Sequence, residues 1–364
     1  MKKILFITGS LSKNGTETFI MNLFRHIDRT KYMFDFLLFT ESIDGYYEEA
    51  ECLGANIYRL PSRFPRYITY RKSLDNFFAS HSKEYVAVHW CGCSLTSVSP
   101  VYYAYKYKIP VRIVHAHSSN TIGWHNKILH IIHKHVVARI ATHFFACSEV
   151  AADYFYKNTK VESKSVLIKN GINLNLFQYN EDIRISLRTE MNLSDKLVFG
   201  HVGRFIAVKN QSFLIDIFAE IKKRRNDAVL LLIGVGEDMG RIKEKVNQLQ
   251  IQNSVRFLGQ CNNVNELLQV MDCFIFPSLY EGLPFTLVAA QAAGLPVYAS
   301  DSVSQEAKIT DSVEFISLKK SANYWADRIL NKIINRVDCK QQIVDKGYSI
   351  EDTVKKVSLL YDCV

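Results

Sequence analysis

The chain of 364 residues is 48% hydrophobic and 22% charged, has only seven prolines and contains no low-complexity tract, which excludes a disordered or fibrous protein and leaves apolar mass for two domains. Its net charge of +9 is uneven, with 24 Lys and Arg against 16 Asp and Glu in residues 1–190 and 21 against 20 in residues 191–364. No apolar run is long enough to span a bilayer, the apolar stretch in MKKILFITGS is too short for a secretory signal, and the eight cysteines form no pair of Cys-x-x-Cys motifs; reduced core thiols and a cytosolic location are expected.

Short runs of β-branched and aromatic residues alternate with longer segments of helical period, the pattern of a parallel sheet covered by helices. In chain order KILFIT, FDFLLF, IYRL, YVAVHW, RIVHA and THFFACS read as strands, and ETFIMNLFRHI, SLDNFFASHS, SPVYYAYKYK and NKILHIIHKHVVARI as intervening helices. After the polar stretch NEDIRISLRTEMNLSD the alternation restarts with strands LVFGHVG, VLLLIG, VRFLG and CFIFPS. This predicts a first α/β domain over 1–190, a second over 191–348, and a helix over 349–364 packing back on the first. Ligands of such domains bind at the carboxyl ends of the strands, here in an expected cleft between the two.

Three predicted strands run into glycine turns. In ITGSLSKNGTETF, Gly9 and Gly15 flank a polar loop before a helix, whose outward amides attract an anion; a plain strand-to-helix turn explains the same residues. In FGHVGRFIAVKNQSF, Gly200 and Gly203 allow a sharp turn, and Arg204 and Lys209 bring two cations able to neutralise a diphosphate as its bond to a sugar breaks. In LLIGVGEDMGRI, Gly234 and Gly236 suit a ligand contact or a simple turn equally well.

The stretch SLYEGLPFTLVAAQAAGLPV puts Glu281 beside Gly282 and Pro284 at the start of a helix, so the amides over residues 282–285 offer a site for an anion or a hydroxyl. A carboxylate there does not ligate phosphate. It can accept hydrogen bonds from sugar hydroxyls or offset positive charge developing at a sugar carbon, or it can merely complement the helix dipole.

Together NGTETFIMNLFRHID, IVHAHSSN, HVGRFIAVKNQSFLI and PSLYEGLPFTLVAAQAAGLPV resemble the retaining glycosyltransferases of family 4, in particular members that build capsular or secreted polysaccharide in bacteria. The resemblance implies the GT-B fold, two Rossmann-like doubly wound α/β domains facing a central cleft, with the C-terminal helix crossing back to the first domain. It implies that Arg204 and Lys209 bind the donor diphosphate, that Gly15 lets the backbone approach the leaving group, and that His117, rather than His115, lies near the reacting sugar. Glu281 would contact sugar hydroxyls, and Gly203, Gly234, Gly282, Leu283, Pro284 and Phe285 would complete the donor site. The donor would be a nucleotide sugar, commonly a UDP-sugar, with transfer in retention of configuration and no essential metal or other cofactor.

Two positions depart from the family pattern. Asn14-Gly15 stands where Gly-Gly is common, and Ala289 stands where the E-x7-E pattern has the glutamate that holds ribose hydroxyls. The second departure raises the alternative of a catalytically impaired nucleotide-sugar-binding subunit. An oxidoreductase is excluded for want of G-x-G-x-x-G followed by an acid about 20 residues on.

Histidines cluster over residues 115–143, and His130 and His133 lie three apart, but no carboxylate or thiol joins them at metal-binding spacing. They read with Lys127, Lys134 and Arg139 as the polar face of an amphipathic helix whose other side carries Ile128, Ile131, Ile132, Val136 and Ile140, packed on its own domain. A second reading joins this helix to RFPRYITYRK as a cationic, aromatic surface for the inner membrane, where a polyprenyl-linked saccharide acceptor would be met. No nucleic-acid-binding motif accompanies the charge, and no nucleic acid is expected.

Overall fold

The computed structural model describes residues 1–362 except 44, 119, 122, 282 and 333–335. Two units are distinguished, Met1–Gly171 with Ile350–Val364, and Ile172–Ser349.

The first unit holds seven parallel strands: β1 (Lys2–Thr8), β2 (Tyr32–Leu38), β3 (Ile57–Arg59), β4 (Ala87–Gly92), β5 (Val111–Ala116), β6 (His143–Ala146) and β7 (Ser165–Leu167), ordered β3-β2-β1-β4-β5-β6-β7. β1 is paired with β2 and β4 on its two edges, and its alternate residues enter two different cores, Ile4 and Phe6 one and Leu5 and Ile7 the other, so the central strands are covered on both faces. That is why they read as unbroken apolar runs rather than alternating ones. Asp35 of β2 is fully buried; it accepts hydrogen bonds from the Tyr85 hydroxyl at 3.0 Å and the Asn56 amide at 2.9 Å, which offset its loss of water.

The final helix, Ile350–Asp362, packs on this sheet and on the helix Gly15–His26, burying Val357 and Tyr361 completely. Its Tyr361 hydroxyl lies 2.7 Å from His89 Nδ1, and Lys2 Nζ donates to the Tyr361 carbonyl at 2.9 Å.

The second unit holds six parallel strands: β8 (Leu197–Val202), β9 (Ala228–Ile233), β10 (Val255–Gly259), β11 (Cys273–Phe276), β12 (Val297–Ser300) and β13 (Val313–Ile316), ordered β10-β9-β8-β11-β12-β13. One side of this sheet packs against a cluster including Leu231, Phe274 and Leu287, the other against Phe218, Leu232 and Trp325.

Three differences from the sequence expectations have clear causes. The units divide at 171/172, not 190/191, because the polar stretch read as a connection contains the helix Glu181–Glu190, whose Arg184 and Arg188 lie one turn apart and clamp Asp272 at the head of β11. Asp272 in turn accepts the Val198 amide at 2.7 Å, which binds the segment to the second sheet. Strands β7, β12 and β13 were not anticipated; each has three or four residues, too few to display a period.

The third difference is an inverted helix. In Trp124–Ile140, His130 and His133 turn inward and Ile128, Ile131 and Ile132 outward, while Ile140 stays buried. His130 Nδ1 accepts the Leu95 amide at 3.0 Å, its Nε2–H donates to the Tyr154 carbonyl at 2.9 Å, and His133 Nδ1–H donates to the Leu95 carbonyl at 2.6 Å. The loop after β4 lacks ladder partners for Leu95, and two imidazoles three residues apart supply both.

Candidate active site

The second sheet changes direction of growth between β8 and β11, so the loops leaving their carboxyl ends diverge and open a crevice, the position at which α/β sheets bind ligands. Of the donor-site residues expected from the sequence, Gly203, Arg204, Lys209, Glu281, Leu283 and Pro284 lie on these two loops. The first loop runs from Gly203 through a short turn, Ala207–Lys209, and ends at Asn210, whose left-handed φ of 52° starts the next helix. The second runs from Pro277 to Pro284, which precedes the helix Phe285–Ala292. They are stitched together: the Leu279 amide donates to the Val208 carbonyl at 2.8 Å and Asn210 Nδ2 to the Pro277 carbonyl at 3.1 Å.

Between the loops Lys209 Nζ and Glu281 Oε1 stand 2.6 Å apart, with side chains only 16% and 19% exposed. The ammonium also sits 4.9 Å from the centre of the Phe276 ring. The Glu281 carbonyl accepts the Ser304 amide at 3.0 Å, so the carboxylate projects from a fixed backbone. Arg204 is exposed, and its guanidinium enters no ion pair among the described residues. One cation is therefore held by the carboxylate and the other stands free to meet an anion.

Three polar atoms around these loops are buried without a partner: His201 Nε2, Ser278 Oγ and Thr286 Oγ1. Such atoms are rare because each costs the loss of a water hydrogen bond; His201 and Ser278 lie at the carboxyl ends of the adjacent strands β8 and β11 and Thr286 in the first turn of the helix that follows, where a ligand could supply the missing partners. His201 donates from Nδ1 to the Ile275 carbonyl at 2.9 Å, which fixes the tautomer and leaves Nε2 as a bare acceptor. A Cβ added at Gly203 would stand 3.1 Å from that Nε2 and 3.4 Å from Lys209 Cδ, so Gly203 keeps the lysine close to the imidazole. Sequence reasoning missed His201, Ser278 and Thr286; their only signal was a polar residue at an otherwise apolar strand end or, for Thr286, at the start of an apolar helix.

Other expected residues are placed differently. Gly234 has φ +132°, and a Cβ there would collide with the Gly203 carbonyl, so packing between the two turns accounts for it without a ligand. Pro284 carries no N–H, which removes it from the expected row of amides; Leu283 and the first turn beginning at Phe285 remain, while Gly282 lies outside the described residues. Ala289 is 1% exposed in an apolar cluster.

The first unit carries Gly15 and His117. Gly15 opens the helix Gly15–His26, and a Cβ there would meet nothing within 4 Å, so the protein interior does not demand glycine at this point. Phe19 of the same helix packs 5.0 Å from the His117 ring. The His117 amide donates to the Gly92 carbonyl at 3.0 Å, whereas its Nε2 is buried without a partner. His115 is fully buried in β5, its Nδ1 lying 3.1 Å from His89 Nε2. His89, Cys91 and His115 bring possible metal-ligand atoms within 4.8 Å of one another, but both imidazoles already share that hydrogen bond. A further residue missed in the sequence is Glu17, 7% exposed in the first turn of the helix; it accepts from Thr8 Oγ1 at 3.3 Å, and burial raises its carboxyl above the usual range.

Burial pushes His117 down to about 3 and His201 down to about 4, so both stay neutral in the folded chain near pH 7. Unfolded, each protonates near 6.5, so below that pH the unfolded chain binds more protons than the folded one. The stability they contribute is complete above pH 6.5 and is drawn down as pH falls toward the folded values, at about 1.4 kcal/mol per pH unit for each imidazole. Thermal melting between about pH 7.5 and pH 5 should show a falling midpoint, less steep in His201→Gln; equal slopes would contradict the buried neutral state of His201.

Two doubly wound parallel sheets of this strand order, one ending in a glycine turn with two cations opposite a carboxylate, are the architecture of GT-B glycosyltransferases. Residues 159–348 match the family model for glycosyl transferases group 1, and residues 13–176 match that for glycosyltransferase family 4. The chain is 30% identical to the putative glycosyltransferase EpsF of Bacillus subtilis strain 168, over 99% of this chain and 96% of that protein. It belongs to these glycosyltransferases. It is also 30% identical to the capsular polysaccharide biosynthesis glycosyltransferase CapH of Staphylococcus aureus, over 38% of this chain and 40% of CapH. With the UDP-Gal:alpha-D-GlcNAc-diphosphoundecaprenol alpha-1,3-galactosyltransferase of Escherichia coli it shares 26% identity over 46% of each chain. Among solved structures, Anabaena Alr3699/HepE in complex with UDP superposes with a TM-score of 0.80 at 16% identity, covering all of both chains.

Proposed function

We propose that this glycosyltransferase moves a sugar, with retention of configuration, from a UDP-sugar to a lipid-linked saccharide during assembly of a capsular or secreted polysaccharide, at the cytoplasmic face of the membrane and without an essential metal. The observation that carries the reading is the Lys209–Glu281 pair at the strand-order switch, with free Arg204 beside it and three unpartnered polar atoms around it. The relatives' names support the chemistry of donor and acceptor. No helix among the described residues is long and apolar enough to cross a membrane.

In the proposed reaction the bond from the sugar's anomeric carbon to the diphosphate breaks and a bond from the acceptor oxygen forms on the same face. The acceptor proton passes to an oxygen of the leaving phosphate. Arg204 and Lys209 stabilise the charge that grows on the diphosphate, supplying in side chains what a metal ion supplies elsewhere. Glu281 accepts hydrogen bonds from sugar hydroxyls once the lysine engages phosphate. His117, kept neutral by burial, accepts or donates a hydrogen bond at the sugar rather than acting as a charged acid.

A second reading, a binding subunit of impaired chemistry, is motivated by Ala289. Calorimetry with UDP, GDP and their sugars, together with slow release of UDP from UDP-sugars, separates the two. An active site binds UDP and hydrolyses its sugar slowly, and a pure binder only binds. Ala289→Glu should tighten UDP by about 1–3 kcal/mol, the scale of a charge-assisted hydrogen bond, while lowering the melting point of the free protein because position 289 is buried. No tightening of any nucleotide would remove the ribose contact from this account.

A further inference from the structure

The first unit carries a surface that the transfer chemistry does not use. Between Glu51 and Asp75 the chain has no acid and five Lys or Arg, and between Glu84 and Glu149 it has no acid and six. These two stretches supply the outer sides of three neighbouring helices, Tyr67–His81, Ser99–Lys106 and Trp124–Ile140, packed side by side on one face of the sheet. Their inner sides are apolar in the usual way, through Leu74, Phe78, Val101, Ala104 and Val137.

Their outer sides are apolar too, which is not usual. With its histidines committed inward to Leu95, the helix Trp124–Ile140 presents Trp124, Ile128, Ile131 and Ile132, spaced along a single stripe and 65%, 48%, 60% and 54% exposed. On the first helix and the turn before it, Phe64 is 70% and Ile68 83% exposed, while Tyr102 and Tyr105 project from the helix that packs on both. Exposed Arg66, Lys72, Lys127 and Arg139 are set among them. Isolated exposed apolar residues need no explanation, but a run of them across three adjacent helices does.

We propose that this three-helix face docks on an anionic lipid leaflet. The isoleucines, Phe64 and Trp124 enter the boundary of the acyl chains, the tyrosines lie at headgroup level, and the arginines and lysines meet lipid phosphates. Charge complementarity selects this occupant. A nucleic acid would satisfy the cations but leave Ile68 and Ile131 in water, whereas an anionic bilayer answers both. The inference deepens the reading of a lipid-linked acceptor by giving the face that would meet its membrane, yet it rests on surface chemistry that needs neither donor nor acceptor.

The test is sedimentation of the full chain with vesicles of phosphatidylcholine alone and of phosphatidylcholine with about one third phosphatidylglycerol. The wild type should pellet with the anionic vesicles and about tenfold less with the neutral ones. Ile128→Ser/Ile131→Ser/Ile132→Ser and, separately, Arg66→Glu/Lys72→Glu should each lose about tenfold in vesicle affinity, with melting point and UDP binding unchanged, since these side chains are exposed and belong to the first unit whereas the donor loops belong to the second. A wild type that stays in the supernatant overturns the proposal, as do variants that pellet like the wild type. So does self-association of the wild type, abolished in the isoleucine variant, without vesicle binding, or retardation of nucleic acid without it. Vesicle binding in a chain that fails to bind UDP would strike the transfer reading and leave the docking face standing.

Discussion

Arg204→Ala should lower kcat/KM by about 10²-fold or more, as loss of one cation acting on developing charge does. The expectation follows from the position of Arg204, exposed at the mouth of the glycine turn after β8 and in no ion pair among the described residues. Because the guanidinium is not committed to the fold, its removal should leave the melting point nearly unchanged. The loss should fall on both kcat and kcat/KM, since the charge it meets grows as the bond to the sugar breaks. Arg204→Lys should recover only part of the rate, for an ammonium cannot span two phosphate oxygens as the planar guanidinium does. Turnover near that of the wild type in Arg204→Ala would remove the diphosphate from this loop.

Lys209→Met should have an effect of similar size on turnover, about 10²- to 10³-fold, and an additional one on stability. Among the described residues Lys209 is the one partner of the Glu281 carboxylate, and both side chains are largely withdrawn from solvent, so deleting the ammonium strands a carboxylate at 19% exposure. Such a group costs on the order of 1–3 kcal/mol even after allowance for its remaining contact with water. The double variant Lys209→Met/Glu281→Gln removes the stranded charge. It should regain most of the melting point and none of the turnover. Were the pair only structural, the double variant would recover both, and the two readouts together decide the question.

The same pair shows what the site needs before it can work. In the free protein each of these two residues satisfies the other, and in the proposed reaction each serves a different part of the donor. Part of the binding energy of the diphosphate therefore goes to separating them. Lys209 can exchange the carboxylate for phosphate with little movement because Gly203 offers no side chain in its way. The bare His201 Nε2 lies beside the same path, an acceptor for an ammonium released from Glu281.

How much of this was legible depended on whether the signal was local. The central strands could be read from KILFIT or VLLLIG because strands buried on both faces become unbroken apolar runs, and the donor loops could be read from glycines next to cations. The helix Trp124–Ile140 was legible as amphipathic but not in its orientation, because histidine suits a polar face and a buried hydrogen-bonded site equally well. Only the unpaired backbone of Leu95, brought near by the fold, decided which. Likewise the stretch holding Arg184 and Arg188 reads from the sequence only as polar, and Asp272, more than eighty residues along the chain, is what ties it to the second sheet.

The sequence by itself determined the two-sheet α/β plan, the family, and the four residue types that matter at the donor loops, because each is encoded in the spacing of neighbours along a few turns of chain. The tertiary structure decided that Lys209 and Glu281 pair, that His201, Ser278 and Thr286 are left bare around them, and that three isoleucines face outward. Those facts belong to contacts between segments far apart in the chain, where burial and the need to satisfy every hidden polar group choose among options that local pattern leaves equal.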